Sequence, residues 1–398
     1  MTNSMLALTF DSAREDWKSS RGLQKETIPV PRLEDPDGAD RSNVIVKVRY
    51  SGFCGSDRGI WTRKAFGDMI LGSLADEHKT KRVVGHEFMG EIVEVGAGVP
   101  GETNSSAPNA VPGGYKPGLM VSTESHVICG VCYQCVHGDN HVCARDKIIG
   151  ISRDGCFAEY IKMPSKSLWP TNLDKIRPEI AAIQEPFGNA VHACQVVDLK
   201  GKTVAIVGCG TIGMFAILIA RGMGAKQIIG IDVEPKHLEL AKTLGCDVVL
   251  QPEKTTSDFA SDPHLREKIR ELTDGVGVDV ALEMAGFNTS INNAIKSVRR
   301  GGHVILFGVK NGNAVVEDIH RVVMDGIQLH GVVGRRIFAT WEITRKLMED
   351  KSNGIQDAMW NVILGAGNDT VVDIRTWEFD DFERRIAAHP KLVIKFAG

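Results

Sequence analysis

The sequence predicts an α/β protein of two domains: a mostly-β domain, and a doubly wound domain built on a parallel sheet. Three observations predict this. Before about residue 182 the apolar runs are short and separated by Gly, Pro and Asn turns. From Gly201 onward, continuously apolar runs alternate with helical segments, the pattern of a parallel sheet covered on both faces. A glycine fingerprint sits where the first of those runs meets the first of those helices.

Taken in order, residues 43–50 (NVIVKVRY) and 88–95 (FMGEIVEV) read as strands of the first domain. Residues 100–114 (PGETNSSAPNAVPGG) lack periodicity and read as a surface loop or insertion without chemistry. The second domain then runs through VAIVG at 204–208, a helix to about 224, QIIGID at 227–232 and a helix through 244. It continues with DVVL, an amphipathic stretch at 263–273, VDVALEMAG, a helix to 297, HVILFG at 303–308 and IQLHGVV at 327–333. After residue 338 one more helix and two β-like runs, including KLVIKF, find no place in that sheet and are expected to return to the first domain. The expected limits are 1–190 with 339–398 for the first domain and 191–338 for the second.

The 398 residues suffice for two or three domains. A net charge of −3 and only 6% aromatics exclude a polycationic or stacking-rich nucleic-acid surface. The uncharged stretch 203–220 is punctuated by Gly208, Gly210 and Gly213, so it reads as strand, turn and helix rather than a membrane span. The opening residues carry acids and no apolar run bounded by small residues, which gives a cytoplasmic expectation. There, nine cysteines point to metal binding or burial rather than disulfides.

Three constellations carry chemistry. Cys129, Cys132, Cys135 and Cys143 supply four thiolates within fifteen positions, enough to close a structural zinc shell; an iron–sulfur site or a zinc knuckle are the alternatives. Cys54, His86, Glu87 and Glu185 are scattered, but a Cys, His and carboxylate set leaves a position open for water or substrate, as a catalytic zinc needs. Gly208, Gly210 and Gly213 permit a tight turn and close approach of a pyrophosphate to a helix N-terminus. Asp232, at the end of the next strand, would accept from ribose hydroxyls and repel a 2′-phosphate, favouring NAD over NADP.

With these residues in that order, the chain resembles the zinc-dependent medium-chain alcohol dehydrogenases over essentially its whole length, through GHE at 85–87, the cysteine lobe at about 126–146 and GCGTIG at 208–213. Within that family it is most similar to the threonine dehydrogenase branch, on SHVICGVCYQC at 125–135, DGCFAEY at 154–160, QEPFGNAVH at 184–192 and GVVGRRIFATW at 331–341. The resemblance implies a homotetramer of subunits with a GroES-like catalytic domain and a Rossmann domain, the site lying in the cleft between them. It implies NAD and two zinc ions per chain, one catalytic and one structural. Cys54, His86 and Glu185 take the positions of catalytic zinc ligands, with Glu87 as an exchangeable carboxylate beside the metal. Ser56 takes that of the hydroxyl handing on the substrate proton, and His126 that of a substrate-facing histidine. Ile212, Asp232, His237, Phe307, Gly308, Val309, Val332 and Val333 match cofactor positions.

The implied activity is oxidation of a secondary alcohol, L-threonine to 2-amino-3-oxobutanoate, with a polyol or sugar as the alternative substrate and a catalytically inactive relative as the rival of another class. The chain departs from the family pattern in three places. Gly59 stands where the proton relay has a histidine, and His237 where an arginine is common. Added residues appear around 65–81 and 100–114. Arg63, Lys64, Arg335 and Arg336 read as solvated charges, and Cys156, Cys194, Cys209 and Cys246 as core or turn residues.

Overall fold

The computed structural model describes residues 3–99, 109–111, 113–255, 257–310 and 312–396, so most of the loop expected at 100–114 lies outside the described residues. The chain divides into two compact units: Met1–Pro186 with Arg336–Ser352 and Leu364–Gly398, and Phe187–Arg335 with Asn353–Ile363.

In the first unit, β-branched residues drive a long strand, Asn43–Phe53, into the middle of the main sheet. It pairs antiparallel with Glu87–Val95, Tyr160–Pro164 and Leu392–Lys395, and the last of these lies parallel to Val371–Asp373. Phe10, Phe53, Trp61, Phe88, Phe157, Phe382 and Phe396 fill the core beside it, each ring contributing about 2–3 kcal/mol of apolar burial. The register places the chemistry. Gly52 pairs with Glu87 and Phe53 with Leu392, so Cys54, the 86–87 pair and Lys391 all emerge at one end of this sheet.

Two helices here were not expected from the sequence. Gly55–Trp61 follows Cys54 directly, and Gly67–Asp76 lies within the added residues. The second is short and carries two glycines, which hides its 3.6-residue period, yet it buries Ile70 and Leu74. Arg82, fully buried, pins it by donating to Ser73 Oγ at 3.0 Å and to Glu77 and Asp154.

The second unit is the doubly wound sheet. Its six strands are parallel, in the spatial order Val248–Leu250, Gln227–Ile231, Thr203–Val207, Val278–Glu283, Val298–Leu306 and Gln328–Gly331. The chain reverses its direction of travel across the sheet at Thr203–Val207, and it is outside such a switch point that open α/β sheets bind ligands. The strand Val298–Leu306 starts five residues before its expected beginning at His303, because Arg299, Arg300, Gly301 and Gly302 break the apolar pattern and the pairing shifts register between Val278 and Val280. Among the described residues, no helix is long and apolar enough to cross a membrane.

Candidate active site

Cys54 directly follows the strand Asn43–Phe53 and sits at the N-cap of Gly55–Trp61, where its backbone N–H donates to Asp57 Oδ2 at 2.8 Å. The other oxygen of Asp57 lies 3.3 Å from His86 Nδ1 without making a hydrogen bond to it, so one buried carboxylate stands against both residues. Cys54 Sγ, a ring nitrogen of His86 and a carboxylate oxygen of Glu87 all lie within 4.8 Å of one another. Glu87 is wholly buried. Its Oε2 accepts from Lys391 Nζ at 2.5 Å, while Oε1 has no hydrogen-bond partner among the described residues. A Cβ on Gly52 would fall 2.0 Å from Glu87 Oε2, so only glycine leaves room for this carboxylate.

Burial pushes the Cys54 thiol up, and the Glu87 charge adds to it. Burial pulls His86 down, but the charge and contact of Asp57 outweigh it and hold the imidazole well above its ordinary value. Burial likewise opposes the charge on Lys391, yet the Glu87 and Cys54 charges leave its pKa raised. A sulfur, a nitrogen and a carboxylate, one of whose oxygens has no hydrogen-bond partner among the described residues, suit a zinc ion with an open position.

Glu185 opens the helix Gln184–Gln195, is 4% exposed and accepts from Ser125 Oγ at 2.6 Å, but it stands outside the group of three. Ser56 is half-buried two residues after Cys54 and has no hydrogen-bond partner among the described residues. His126 starts a two-residue strand with its Nδ1 2.6 Å from Asp146 Oδ2. A Cβ on Gly59 would come within 2.8 Å of Ala65 Cβ, so the turn entering the added residues fills the space a relay side chain needs.

The four lobe cysteines also converge. Sγ–Sγ distances of 3.5, 3.8 and 3.6 Å link Cys132 to Cys135, Cys132 to Cys143 and Cys143 to Cys129. A tetrahedron with Zn–S bonds near 2.3 Å has edges of about 3.8 Å. Backbone N–H groups of Val131 and Cys132 point at Cys129 Sγ and lower that thiol to about 6, which favours the thiolate that a metal ligand needs.

In the second unit Gly208 turns with φ +99°, and a Cβ on Gly213 would lie 2.0 Å from the Gly208 carbonyl oxygen. This close packing seats the N-terminus of Thr211–Gly222, with Ile212 in its first turn, against the strand end. Asp232 Oδ2 accepts from the Cys209 N–H at 2.6 Å and lies 3.3 Å from His237 Nδ1; these contacts and the Glu234 N–H outweigh burial and hold its carboxyl below the usual range. Phe307 and Gly308 donate their N–H groups to the Glu283 carbonyl, and Val332 donates to Leu306. Val309 and Val333 are exposed beyond these strand ends.

Sequence reasoning missed five residues. Asp57 was legible in principle, as an acid at the third helical position after Cys54. Lys391, Asp146, Glu124 and Glu283 had no local signal. The Glu283 side chain accepts from the N–H groups of Ala285 and Gly286 and from Ser290 Oγ, clamping the loop next to Gly208. Two expectations are corrected. Arg63 is no surface charge: its guanidinium stacks 4.8 Å from the Phe10 ring and 5.2 Å from Trp17, with Glu15 at 3.5 Å. Arg335 is 2% exposed and donates to Asn189 Oδ1 at 2.6 Å.

Residues 40–173 match the alcohol dehydrogenase GroES-like domain and residues 211–350 the zinc-binding dehydrogenase domain. The chain is 34% identical to an L-threonine 3-dehydrogenase of Bacillus licheniformis over 82% of its own length and 85% of that enzyme, and 35% identical to one of Symbiobacterium thermophilum over 82% and 83%. The chain belongs to the zinc-binding dehydrogenase family. It is therefore an oxidoreductase acting on the CH–OH group of a small molecule, with the expected GroES-like and doubly wound parts. The fold of this zinc-binding dehydrogenase is shared by the alcohol dehydrogenase from Thermus sp. ATN1, with a TM-score of 0.76 and 22% identity over 98% of this chain and 99% of that one. Galactitol-1-phosphate dehydrogenase from Escherichia coli follows at 0.74 and 24%, over 98% and 100%.

Proposed function

We propose that this dehydrogenase oxidises the secondary alcohol of L-threonine to 2-amino-3-oxobutanoate, with NAD as the hydride acceptor. The observation that carries it is the open Cys54, His86 and Glu87 donor set, in a chain a third identical to L-threonine 3-dehydrogenases across more than four fifths of both. The first unit is the catalytic domain and the second the dinucleotide-binding domain. Two zinc ions bind per chain, one in the cysteine lobe and one on Cys54, His86 and a carboxylate, Glu185 or Glu87. Bound there, zinc supplies a Lewis acid for the substrate hydroxyl, and NAD supplies the acceptor.

The residues of the chain do the rest. Asp57 fixes the Cys54 backbone and stands beside the His86 imidazole, and Lys391 neutralises the charge on Glu87. Ser56 takes the substrate proton. Asp232 receives the adenosine ribose at the strand end, and Ile212 and the 307–309 and 332–333 backbones line the dinucleotide.

The enzyme acts as a homotetramer in the cytoplasm. In support, the edge strand Gln328–Gly331 is unpaired on one side among the described residues, and Val309, Ile319, Val323, Met324 and Leu329 are exposed near it in sequence, a surface that suits a second copy. Free thiols at every cysteine suit a reducing compartment.

A polyol or sugar is the second reading, favoured by Gly59 and by the helix Gly67–Asp76 in the added residues. The test is the initial rate of NADH formation by the zinc-loaded protein on L-threonine against a panel of polyols and aldoses, repeated with NADP. A threonine rate far above the panel is expected. Turnover of a polyol with threonine inert overturns the reading.

A further inference from the structure

The first unit also holds a three-stranded sheet of Ser4–Asp11, Gln24–Pro29 and Lys81–Val83, with a small apolar cluster of its own around Met5, Ala7, Val83 and Ala158. Residues of this sheet and of the strand Tyr160–Pro164 line a cavity of about 290 Å³. Its apolar walls include Met5, Ile28, Pro31, Val83 and Ile161, and none of the candidate zinc ligands lines it. The charges around it do not cancel. Glu77 and Asp154 are both committed, to Arg82 at 3.0 and 3.1 Å and to Lys79 at 3.2 and 3.4 Å, and Lys162 is paired with Asp40 at 3.0 Å. Arg153 is the surplus cation. Of its five N–H donors it uses one, from Nη2 to the Lys162 carbonyl at 3.3 Å, and it makes no ion pair among the described residues. Burial opposes its charge and Arg82 adds to that, while Asp154 and Glu77 support it only from beyond ion-pair distance. Its backbone is nonetheless fixed, because the Arg153 carbonyl accepts from the Gly150 N–H at 2.9 Å. Tyr160 lines the same cavity, and its hydroxyl has no hydrogen-bond partner among the described residues.

We propose that this cavity is a binding site for a small monocarboxylate with an aliphatic body, its carboxylate received by Arg153 and Tyr160 and its chain by the apolar walls. A planar guanidinium fork matches the two oxygens of a carboxylate, and a phenol hydroxyl adds a further donor. One surplus cation balances one negative charge. A phosphate ester would bring about two, into a place where Glu77 and Asp154 already stand. An ammonium ligand would find both of those carboxylates taken. The volume is at the small end for ligand pockets and admits a body of several carbons. The site is independent of which alcohol the enzyme oxidises.

The test titrates the full-length, zinc-loaded protein with hexanoate, acetate, hexylammonium and hexyl phosphate, following the methyl resonances of Met5 and Ile28 by NMR. Hexanoate should shift both methyls and saturate at millimolar concentration or below, in keeping with the affinity a ligand of this size can reach. Acetate, which lacks the body, should bind at least about tenfold more weakly. Hexylammonium should leave the methyls unmoved, and hexyl phosphate should bind more weakly than hexanoate. Arg153→Gln should weaken hexanoate at least about tenfold, and Tyr160→Phe about three- to tenfold. Ile28→Glu, at a half-buried position of a strand paired on one side only, should abolish binding through charge repulsion while Tm is kept, and so serves if Arg153→Gln fails to fold. Cys54→Ala, which lacks the catalytic metal, should bind hexanoate as the wild type does. Unmoved methyls, equal binding of hexanoate and hexylammonium, tighter binding of hexyl phosphate, or hexanoate binding that survives Arg153→Gln and disappears with Cys54→Ala overturns the proposal.

Discussion

Lys391 Nζ lies 2.5 Å from Glu87 Oε2, an ion pair across 304 residues of sequence in which neither side chain is more than 1% exposed. It ties the last strand of the chain to the carboxylate beside Cys54 and His86. A buried pair is expensive to break because the surviving charge keeps its desolvation cost. Lys391→Met should therefore destabilise the metal-free protein by about 3–5 kcal/mol. Zinc loading should recover much of that loss, since a cation on the donor set replaces the missing ammonium. Urea unfolding with and without zinc measures both, and an equal loss in the two states would refute the link between Lys391 and the metal set.

The two sulfur-containing sites should fail differently. Cys54→Ala removes one donor from an open set, so the fold should survive with one zinc per chain while kcat/KM falls at least about a thousandfold, the several kcal/mol a Lewis acid contributes. Cys132→Ser opens the four-thiol shell and should lower Tm and zinc content together. Metal analysis beside calorimetry checks this. Near-normal turnover by a Cys54→Ala protein holding only the lobe zinc would defeat the assignment.

Zinc must displace protons to bind at Cys54 and His86. Burial and the Glu87 charge raise the Cys54 thiol, and Asp57 raises His86 above its ordinary 6.5. In the metal-free protein the His86 contribution to stability is complete below pH 6.5 and is lost as the pH climbs through the raised value. Zinc affinity runs the other way. With two protons released, it should rise by up to about 100-fold per pH unit as long as the pH stays below both raised values, and level off above them. Calorimetry in buffers of different ionisation enthalpy counts the protons, and a pH-independent affinity would contradict the geometry.

Gly59 and the added residues amount to one departure rather than two. A Cβ at position 59 would stand 2.8 Å from that of Ala65. Gly59→Ala should therefore cost about 1–3 kcal/mol through overpacking, despite the better helix propensity of alanine. The double variant Gly59→Ala, Ala65→Gly should return to wild-type stability. Additive losses in the double variant would show that the two sites do not meet.

The legible parts of this protein are those whose cause is local. The alternation of apolar runs from Gly201 onward announced the parallel sheet because each strand and helix carries its own period, and GCGTIG followed by Asp232 announced the dinucleotide turn because its steric demands fall within one βαβ unit. Cys129 to Cys143 is likewise a local cluster. Lys391, by contrast, reaches Glu87 only through the register that sets Leu392 against Phe53, and no spacing in the chain encodes that. Arg63 looked like any solvated charge until Phe10 and Trp17 closed on it from a different strand and loop. The helix Gly67–Asp76 was hidden because its stability comes from Arg82 and the core rather than from its own pattern.

Asp232 is already engaged, holding the Cys209 N–H and lying against His237, so the ribose contact proposed for it would use a carboxylate that is already in place. Its carboxyl is held below the usual range, and under the proposed NAD preference that charge at the strand end would oppose a 2′-phosphate. Asp232→Ala should raise KM for NAD by about 10–100-fold, the 1.5–3 kcal/mol of hydrogen bonds to a charged group, and narrow the preference over NADP. His237→Arg in that background should favour NADP further by pairing with the extra phosphate. Initial rates with both dinucleotides decide it: if Asp232→Ala leaves the ratio of their KM values unchanged, the carboxylate serves the Gly208 turn alone and discrimination lies elsewhere.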